Sequence, residues 1–306
     1  MQIWNVKNIL DWAINYFRRK DISQPRLSAE LLLSLVLKLN RINLYLNYNR
    51  VLKKDELALY KKYILKRLEN VPIQYISKEA HFRKIKLHVN NKVLIPRPET
   101  ELLVDKAFEI LKDCNGKGKI NILEVGTGSG AISISMAFEI ADKLKTPDDF
   151  WEIIATDSSP DALGIAEENA RDILGKNETG RIKFIECDVV PAENQDFYKQ
   201  YKNKINLVVS NPPYISEKDY KNLPPEIKEY EPEAALLAGK TGLEVYRKIL
   251  NKIKPYLSRD FCYILLEVDP AVGTRLKKIS GDIIGPHEIN IYRDYNKRDR
   301  VMVVKV

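Results

Sequence analysis

The residues best suited to chemistry are Asn211-Pro212-Pro213-Tyr214, which follow the apolar run Ile205-Asn206-Leu207-Val208-Val209. Two prolines fix φ and supply no N–H, and a residue before proline is held extended, so this loop is stiff and its carbonyls are free to accept. The Asn211 amide oxygen and the Pro212 carbonyl can together accept both protons of a planar NH2 group. Tyr214 offers a flat face to a planar amide or base. Such a nitrogen is a poor nucleophile because its lone pair is delocalised; holding both N–H bonds aims it and opposes that delocalisation. The tetrapeptide therefore suits methyl transfer to planar nitrogen and has no use in hydride transfer. An isolated Pro-Pro is also an ordinary strand stop, so the other strand ends must decide.

An earlier strand ends in Glu124-Val125-Gly126-Thr127-Gly128-Ser129-Gly130. Glycines at alternate positions let the backbone turn tightly and approach a ligand at a helix N-terminus. The stretch Gly126, Thr127, Gly128, Ser129, Gly130 also satisfies the permissive dinucleotide fingerprint. The next strand ends in Asp157, suited to ribose hydroxyls. It lies 27 residues after Gly130, against a usual interval of about 20, and the excess falls in "ADKLKTPDDFW", which predicts a longer loop. A third strand ends in Cys187-Asp188, where the acid can accept from an adenine amine. Alone, either aspartate reads as a helix cap or a solvated loop acid. At successive strand ends, where open α/β sheets bind ligands, they favour an adenosine-bearing cofactor.

The elements that must hold these residues alternate. Strands are predicted at Ile120–Val125, Glu152–Asp157, Arg181–Asp188, Ile205–Ser210 and Phe261–Val268, with helices at about 130–143, 160–174 and 243–257. That order implies an α/β fold with a mostly parallel sheet covered on both faces. The last segment, "EINIYRDYNKRDRVMVVKV", reads as two strands and a polar turn that close the sheet in antiparallel fashion. Residues 1–78 read as an all-helical bundle, from Ile9, Trp12, Ala13, Tyr16 and Phe17, from Leu27, Leu31, Leu35 and Leu39, and from Leu57, Tyr60, Ile64 and Leu68 at helical spacing. Residues 79–97 are predicted to form a linking hairpin, Phe82–Leu87 against Lys92–Ile95 around Asn90-Asn91, because asparagine tolerates positive φ. The remaining domain, 98–306, begins with "PETE": Pro98 suits a first helical turn, and Glu99 and Glu101 suit the positive end of the helix dipole. Arg97 either shapes the mouth of the site or pairs with Glu99 or Glu101.

Composition narrows the class. The 306 residues carry a net charge of +8, with 44% hydrophobic and 30% charged residues, as in a soluble globular protein of two domains. No apolar run approaches the roughly 18 residues of a membrane span, and the N-terminus lacks a signal-peptide pattern, so a cytoplasmic protein without membrane partner is expected. Cys114, Cys187 and Cys262 are odd in number and far apart, and His81, His88 and His287 show no ligand spacing, so neither disulfides nor a metal are expected. Residues 1–78 hold 15 Lys+Arg against 6 Asp+Glu, leaving 35 against 36 for the rest. The basic excess is thus confined to the bundle. It is either a solvated lysine-rich surface or an attractor for an acidic protein or RNA.

Taken together, the glycine loop and "NPPY" resemble the class I, Rossmann-like methyltransferases that use S-adenosylmethionine on planar nitrogens. "IPRPETELLVD", "SNPPYI", "EYEPEAALLAGKTGLEVYRKIL" and "YRDYNKRDRVMVV" narrow the resemblance to the HemK/PrmC-type protein-(glutamine-N5) methyltransferases of peptide-chain release factors, over essentially the whole chain. The resemblance implies a seven-stranded, mostly parallel sheet behind the helical domain. It also implies S-adenosylmethionine held by Gly126 to Gly130, Asp157, Asp188, Val189 and Asn211, with S-adenosylhomocysteine as product. Asn211, Pro212, Pro213 and Tyr214 would grip the glutamine of a Gly-Gly-Gln loop in a class 1 release factor, the basic bundle docking that partner. A monomer without a stable nucleic-acid partner is expected. Two departures are visible: Val189 stands where the family often has an aromatic, and "LLEVDPAVG" differs from the usual pattern, leaving Glu267 without an assigned role. Rival readings are an adenine-N6 methyltransferase of DNA or RNA, whose target base presents the same NH2 group after flipping, and a non-enzymatic RNA-binding module.

Overall fold

The computed structural model describes residues 4–114, 118–144, 150–191, 194–285 and 288–306. His287 and most of the residues expected to form the longer loop before Phe150 lie outside the described residues. The chain divides into two compact units: Met1–Glu79 with Pro224–Tyr230, and Ala80–Leu223 with Glu231–Val306.

The first unit is helical. Val6–Arg19 is capped by the Asn5 side chain, which accepts the Asn8 N–H at 2.8 Å, and buries Ile9, Ala13 and Phe17. Trp12 instead lies 40% exposed and stacks on Tyr16 at 5.1 Å between ring centroids. Helix Pro25–Leu37 starts on its proline and turns Ala29, Leu32, Leu33, Val36 and Leu37 inward. Leu27, Leu31 and Leu35 are only half-buried. That helix is apolar on most of its circumference, so leucine spacing alone pointed to the neighbouring stripe. Helices Arg41–Leu46, Lys54–Leu68 and Ile73–Ser77 complete the bundle. The segment Pro224–Tyr230 joins it through Arg67, a buried guanidinium that donates to Glu226 Oε2 at 2.6 Å, Ser23 Oγ at 2.8 Å and the Val71 carbonyl at 3.2 Å. Tyr230 donates its hydroxyl to the Glu69 carbonyl at 2.6 Å.

Strands β1 (Glu79–Phe82) and β2 (Ile85–His88) form a two-stranded sheet. The expected hairpin is therefore displaced: its turn is Arg83-Lys84, and Lys92–Ile95 forms no strand. Arg83 takes φ 51°, a conformation that costs a residue with a Cβ. Its guanidinium is held by Glu139 at 2.5 Å, Asp105 at 2.7 Å and the Glu101 carbonyl at 3.0 Å, contacts that offset that cost. Asn90 makes a smaller turn of its own, its Oδ1 accepting the Lys92 N–H at 2.9 Å.

The sheet of the second unit is built from β3 (Ile120–Val125), β4 (Trp151–Asp157), β5 (Ile182–Glu186), β6 (Ile205–Ser210), β9 (Tyr263–Glu267), β10 (Glu288–Arg293) and β11 (Asp299–Lys305), while β7 (Ile215–Ser216) and β8 (Leu237–Gly239) pair separately. Its order is β10-β11-β9-β6-β3-β4-β5. β11 runs antiparallel to both neighbours and the other pairs are parallel, as the closing segment predicts. This is the class I methyltransferase fold. Near-continuous burial along β3, β4 and β6 reflects cover on both faces. The chain leaves β3 toward β4 and β5 and returns to β6 on the other side, so the order reverses between β3 and β6. Val125 lies opposite both Thr156 and Ser210. The residues after these three positions therefore meet at one edge, where such a fold binds ligands.

Candidate active site

The glycine loop leaves β3 with Gly126 at φ 75°, Gly128 at φ 56° and Gly130 at φ 81°. A Cβ on Gly126 or Gly128 would meet nothing within 4 Å, so these two keep open backbone beside the cavity described below. Gly130 is different: a Cβ there would stand 2.6 Å from Ile134 Cδ1 and 3.3 Å from Ala166 Cβ. Close packing of the helix Ala131–Lys143 needs that hydrogen. The loop is fastened by the Gly126 and Thr127 N–H groups, which donate to the Thr156 carbonyl at 2.8 and 2.9 Å. Asp157 adds its carboxylate, with Oδ2 accepting from Gly128 N–H at 2.8 Å and Oδ1 from Ser159 N–H at 2.9 Å.

Beneath the loop, Glu124 is buried and accepts the Thr127 hydroxyl on Oε2 at 2.7 Å, while its Oε1 has no partner. Burial pushes its carboxyl up to about 7, with Thr127 and Ser133 pulling the other way. Thr127 and Ser129 are themselves buried. The Thr127 side chain braces the loop from below, and the Ser129 carbonyl accepts the Asn169 amide at 2.9 Å.

A cavity of about 350 Å³ brings together Gly126, Gly128, Asp157, Asp188, Val189, Asn211, Pro212 and Pro213. Thr127, Ser129, Gly130 and Tyr214 are not among its lining residues. Asp188 carries an ion pair with Lys248 at 2.7 Å and another with Lys252 at 2.9 Å, one turn apart on helix Glu244–Ile253. Burial raises its pKa, but the two lysines hold it below the ordinary carboxylate value. Neither lysine is singled out in the sequence, since the pairing joins residues 60 and 64 positions apart. Val189 lies in the wall at φ 80°, its carbonyl accepting the Thr156 hydroxyl at 2.9 Å.

At the other end of the cavity, Asn211 Nδ2 donates to Thr100 Oγ1 at 3.1 Å, and Thr100 donates to Glu267 Oε2 at 2.6 Å. Arg97 pairs with Glu231 at 2.5 Å, and neither with Glu99 nor with Glu101; Glu231 also accepts the Ile95 N–H at 3.2 Å. Glu231 is buried and lies far along the chain, so the pairing left no local trace. Tyr214 packs against the main core, and its carbonyl sits 2.6 Å from where a Gly242 Cβ would be. Burial and the charge of Glu267 hold its phenol above the ordinary tyrosine value. Among the described residues, no group of three or more His, Cys, Asp and Glu side chains could hold a metal ion, and no helix is long and apolar enough to cross a membrane.

Comparison with known proteins decides the family. A family model described as the PrmC N-terminal domain matches residues 8–77. A release factor glutamine methyltransferase of Chlorobaculum tepidum is 38% identical over 98% of this chain and 96% of its own length. The chain belongs to the release factor glutamine methyltransferases. Other members are similar: that of Rhodopirellula baltica is 30% identical over 98% of this chain and 95% of its own, and that of Leptospira interrogans 38% over 76% and 75%. As a release factor glutamine methyltransferase, the chain is an S-adenosylmethionine-dependent enzyme, and the cavity fits that cofactor. Gly126 and Gly128 offer open backbone, and Asp157 and Asp188 offer carboxylates, on one cavity lining.

Proposed function

We propose that the protein methylates the side-chain amide nitrogen (N5) of the glutamine in the Gly-Gly-Gln loop of class 1 peptide-chain release factors. The observation that carries this reading is one cavity wall holding Gly126, Gly128, Asp157 and Asp188 together with Asn211 and Pro212. S-adenosylmethionine, when bound, supplies a methyl carbon on a positively charged sulfur.

The chain's own residues work by position. Gly126, Gly128 and Asp157 hold the cofactor, with Asp188 and Val189 at the adenine end and Thr127, Ser129 and Gly130 setting the shape of the loop. Asn211 Oδ1 and the Pro212 carbonyl accept the two N–H bonds of the glutamine amide, and Pro213 and Tyr214 stiffen and face the grip. Fixed acceptors aimed at one nitrogen supply orientation, a large part of any two-reactant acceleration. Tyr214 keeps its proton at neutral pH, since burial and Glu267 raise its pKa, so it is a face and not a base. The basic bundle docks the release factor electrostatically. The protein acts in the cytoplasm as a monomer, with neither a metal nor a stable nucleic-acid partner.

The test is mass spectrometry after incubation with S-adenosylmethionine and, separately, a bacterial release factor, its Gly-Gly-Ala variant, and duplex DNA. One methyl on the glutamine of the first and none on the others is expected. Methyl on DNA adenine would replace this reading with that of an adenine-N6 methyltransferase. In the same assay Asn211→Ala should lower kcat by about 10²-fold while leaving cofactor affinity nearly intact.

A further inference from the structure

Proline on its C-terminal side fixes the backbone of Asn211 but not the amide at the end of its side chain, whose last torsion is broad and nearly two-fold. Turned one way, the amide presents Oδ1 to an incoming NH2 group. Turned the other way, it presents its own NH2, and two donors face each other. Something else must choose.

The choice is made by two buried side chains from distant elements. Thr100 is 3% exposed, in the turn before helix Glu101–Asp113, and Glu267 is 1% exposed, at the end of β9 beside β6. A threonine hydroxyl has one proton. At 2.6 Å the hydroxyl donates that proton's hydrogen bond to Glu267 Oε2, within the range of a charge-assisted O–H···O⁻ bond. Toward Asn211, Thr100 Oγ1 can then only accept, and Asn211 Nδ2 supplies the bond at 3.1 Å. A reversed amide would set two acceptor oxygens against each other at that distance. Glu267 is itself held in place, since the Tyr246 hydroxyl donates to its carbonyl at 2.7 Å. Among the described residues nothing donates to Asn211 Oδ1, and Asn211 lines the cavity.

We propose that Thr100 and Glu267 are positioning residues that lock the Asn211 amide with its oxygen toward the substrate nitrogen. The inference rests on the reading of Asn211 as the residue that grips the glutamine amide. Glu267 thereby gains the role that its sequence context withheld. "IPRPETE" contributes through its threonine and not only through its charges.

The test uses the full chain with Thr100→Val, which keeps the shape and removes the hydroxyl, Thr100→Ser, which keeps the hydroxyl, and both Thr100→Val and wild-type Thr100 in an Asn211→Ala background. Thr100→Val should lower kcat about tenfold or more with cofactor Kd close to wild type, Tm falling because the buried Glu267 oxygen loses its donor, and Thr100→Ser should restore most of both losses. In the Asn211→Ala background Thr100→Val should add almost nothing, because both changes remove one function. A merely structural threonine would instead multiply the two losses. Hydrogen exchange of the Asn211 side-chain NH2, followed by NMR on the protein alone, should be slowed in wild type and accelerated in Thr100→Val. Multiplying losses, near-wild-type turnover in Thr100→Val, or equal exchange rates would overturn the lock. A wild-type enzyme that leaves glutamine unmethylated would overturn the proposed substrate, with the exchange measurement still deciding the lock by itself.

Discussion

Asp157 accepts the Gly128 amide N–H through one carboxylate oxygen and the Ser159 amide N–H through the other, at 2.8 and 2.9 Å. One side chain at the end of β4 thus holds the loop that leaves β3. Helix capping and cofactor binding are usually alternative explanations of such an acid; here a turn contact and a loop contact share the same carboxylate, which also faces the cavity. Asp157→Ala is therefore expected to weaken cofactor binding by two routes, lost contact and a loosened loop. Calorimetric titration with S-adenosylhomocysteine should show Kd raised at least about tenfold, the equivalent of one charge-assisted hydrogen bond. At saturating cofactor kcat should fall much less. An unchanged Kd would remove Asp157 from the cofactor site.

Gly130 carries a different constraint. It stands at φ 81° with Ile134 and Ala166 packed where a side chain would begin. Gly130→Ala is expected to cost about 2 kcal/mol, from left-handed backbone strain and from displacement of Ile134. Urea unfolding should show a lower midpoint with the slope unchanged. Gly126→Ala, with open space around it, should cost only the strain.

These examples bear on what could be read from the sequence. The glycine loop, Asp157, Asp188 and "NPPY" were legible because each is a short string at a strand end, and strand ends in an alternating pattern have a known use. Burial of Leu32 and Leu33 in place of Leu31 and Leu35 was not legible, since a helix apolar on most sides has no single stripe to read. The hairpin turn fell on Arg83 and not on Asn90 because three distant carbonyl and carboxylate groups hold the arginine there. Thr100 and Glu267 escaped for a related reason: their bonds join residues 111 and 167 positions apart, and only the folded sheet brings them together.

Arg67 offers a test of the first unit. Its guanidinium is buried and divides its donors among Glu226, Ser23 and Val71, and Glu226 lies in the segment Pro224–Tyr230 that follows the "NPPY" loop. Arg67→Met keeps the apolar stem and strands those acceptors. Breaking a buried pair costs about 3–5 kcal/mol, but the Glu226 side chain is 32% exposed and remains partly hydrated, so a loss of about 2 kcal/mol is expected. Denaturant unfolding followed by tryptophan fluorescence would report it, since Trp4 and Trp12 both lie in this unit. A change within about 0.5 kcal/mol would mean that the pair is surface-like despite its burial.

Glu267 gives the pH dependence its sign. Burial pushes its carboxyl up to about 7; the Thr100 hydroxyl and the charge of Arg300 pull it down, Glu99 adds to the rise and Arg97 opposes it. The nearby phenols of Tyr214 and Tyr246 are raised by burial and stay neutral. Above about pH 7 the carboxylate accepts the hydrogen bond of the Thr100 hydroxyl, and the Asn211 amide keeps its oxygen toward the substrate. Below it, a protonated Glu267 donates to Thr100 Oγ1, the threonine proton turns to Asn211, and the amide reverses to accept it. The kcat measured at saturating cofactor and release factor should therefore fall as pH drops through about 7. In Glu267→Gln, which has no titrating proton, that fall should disappear. Glu124 titrates in the same range because burial raises it too, but it lies under the glycine loop, so its effect belongs in the cofactor Kd and vanishes from kcat at saturation. A kcat that stays flat from pH 6 to 8 in the wild type, or a fall that persists in Glu267→Gln, would separate the carboxylate from the orientation of Asn211.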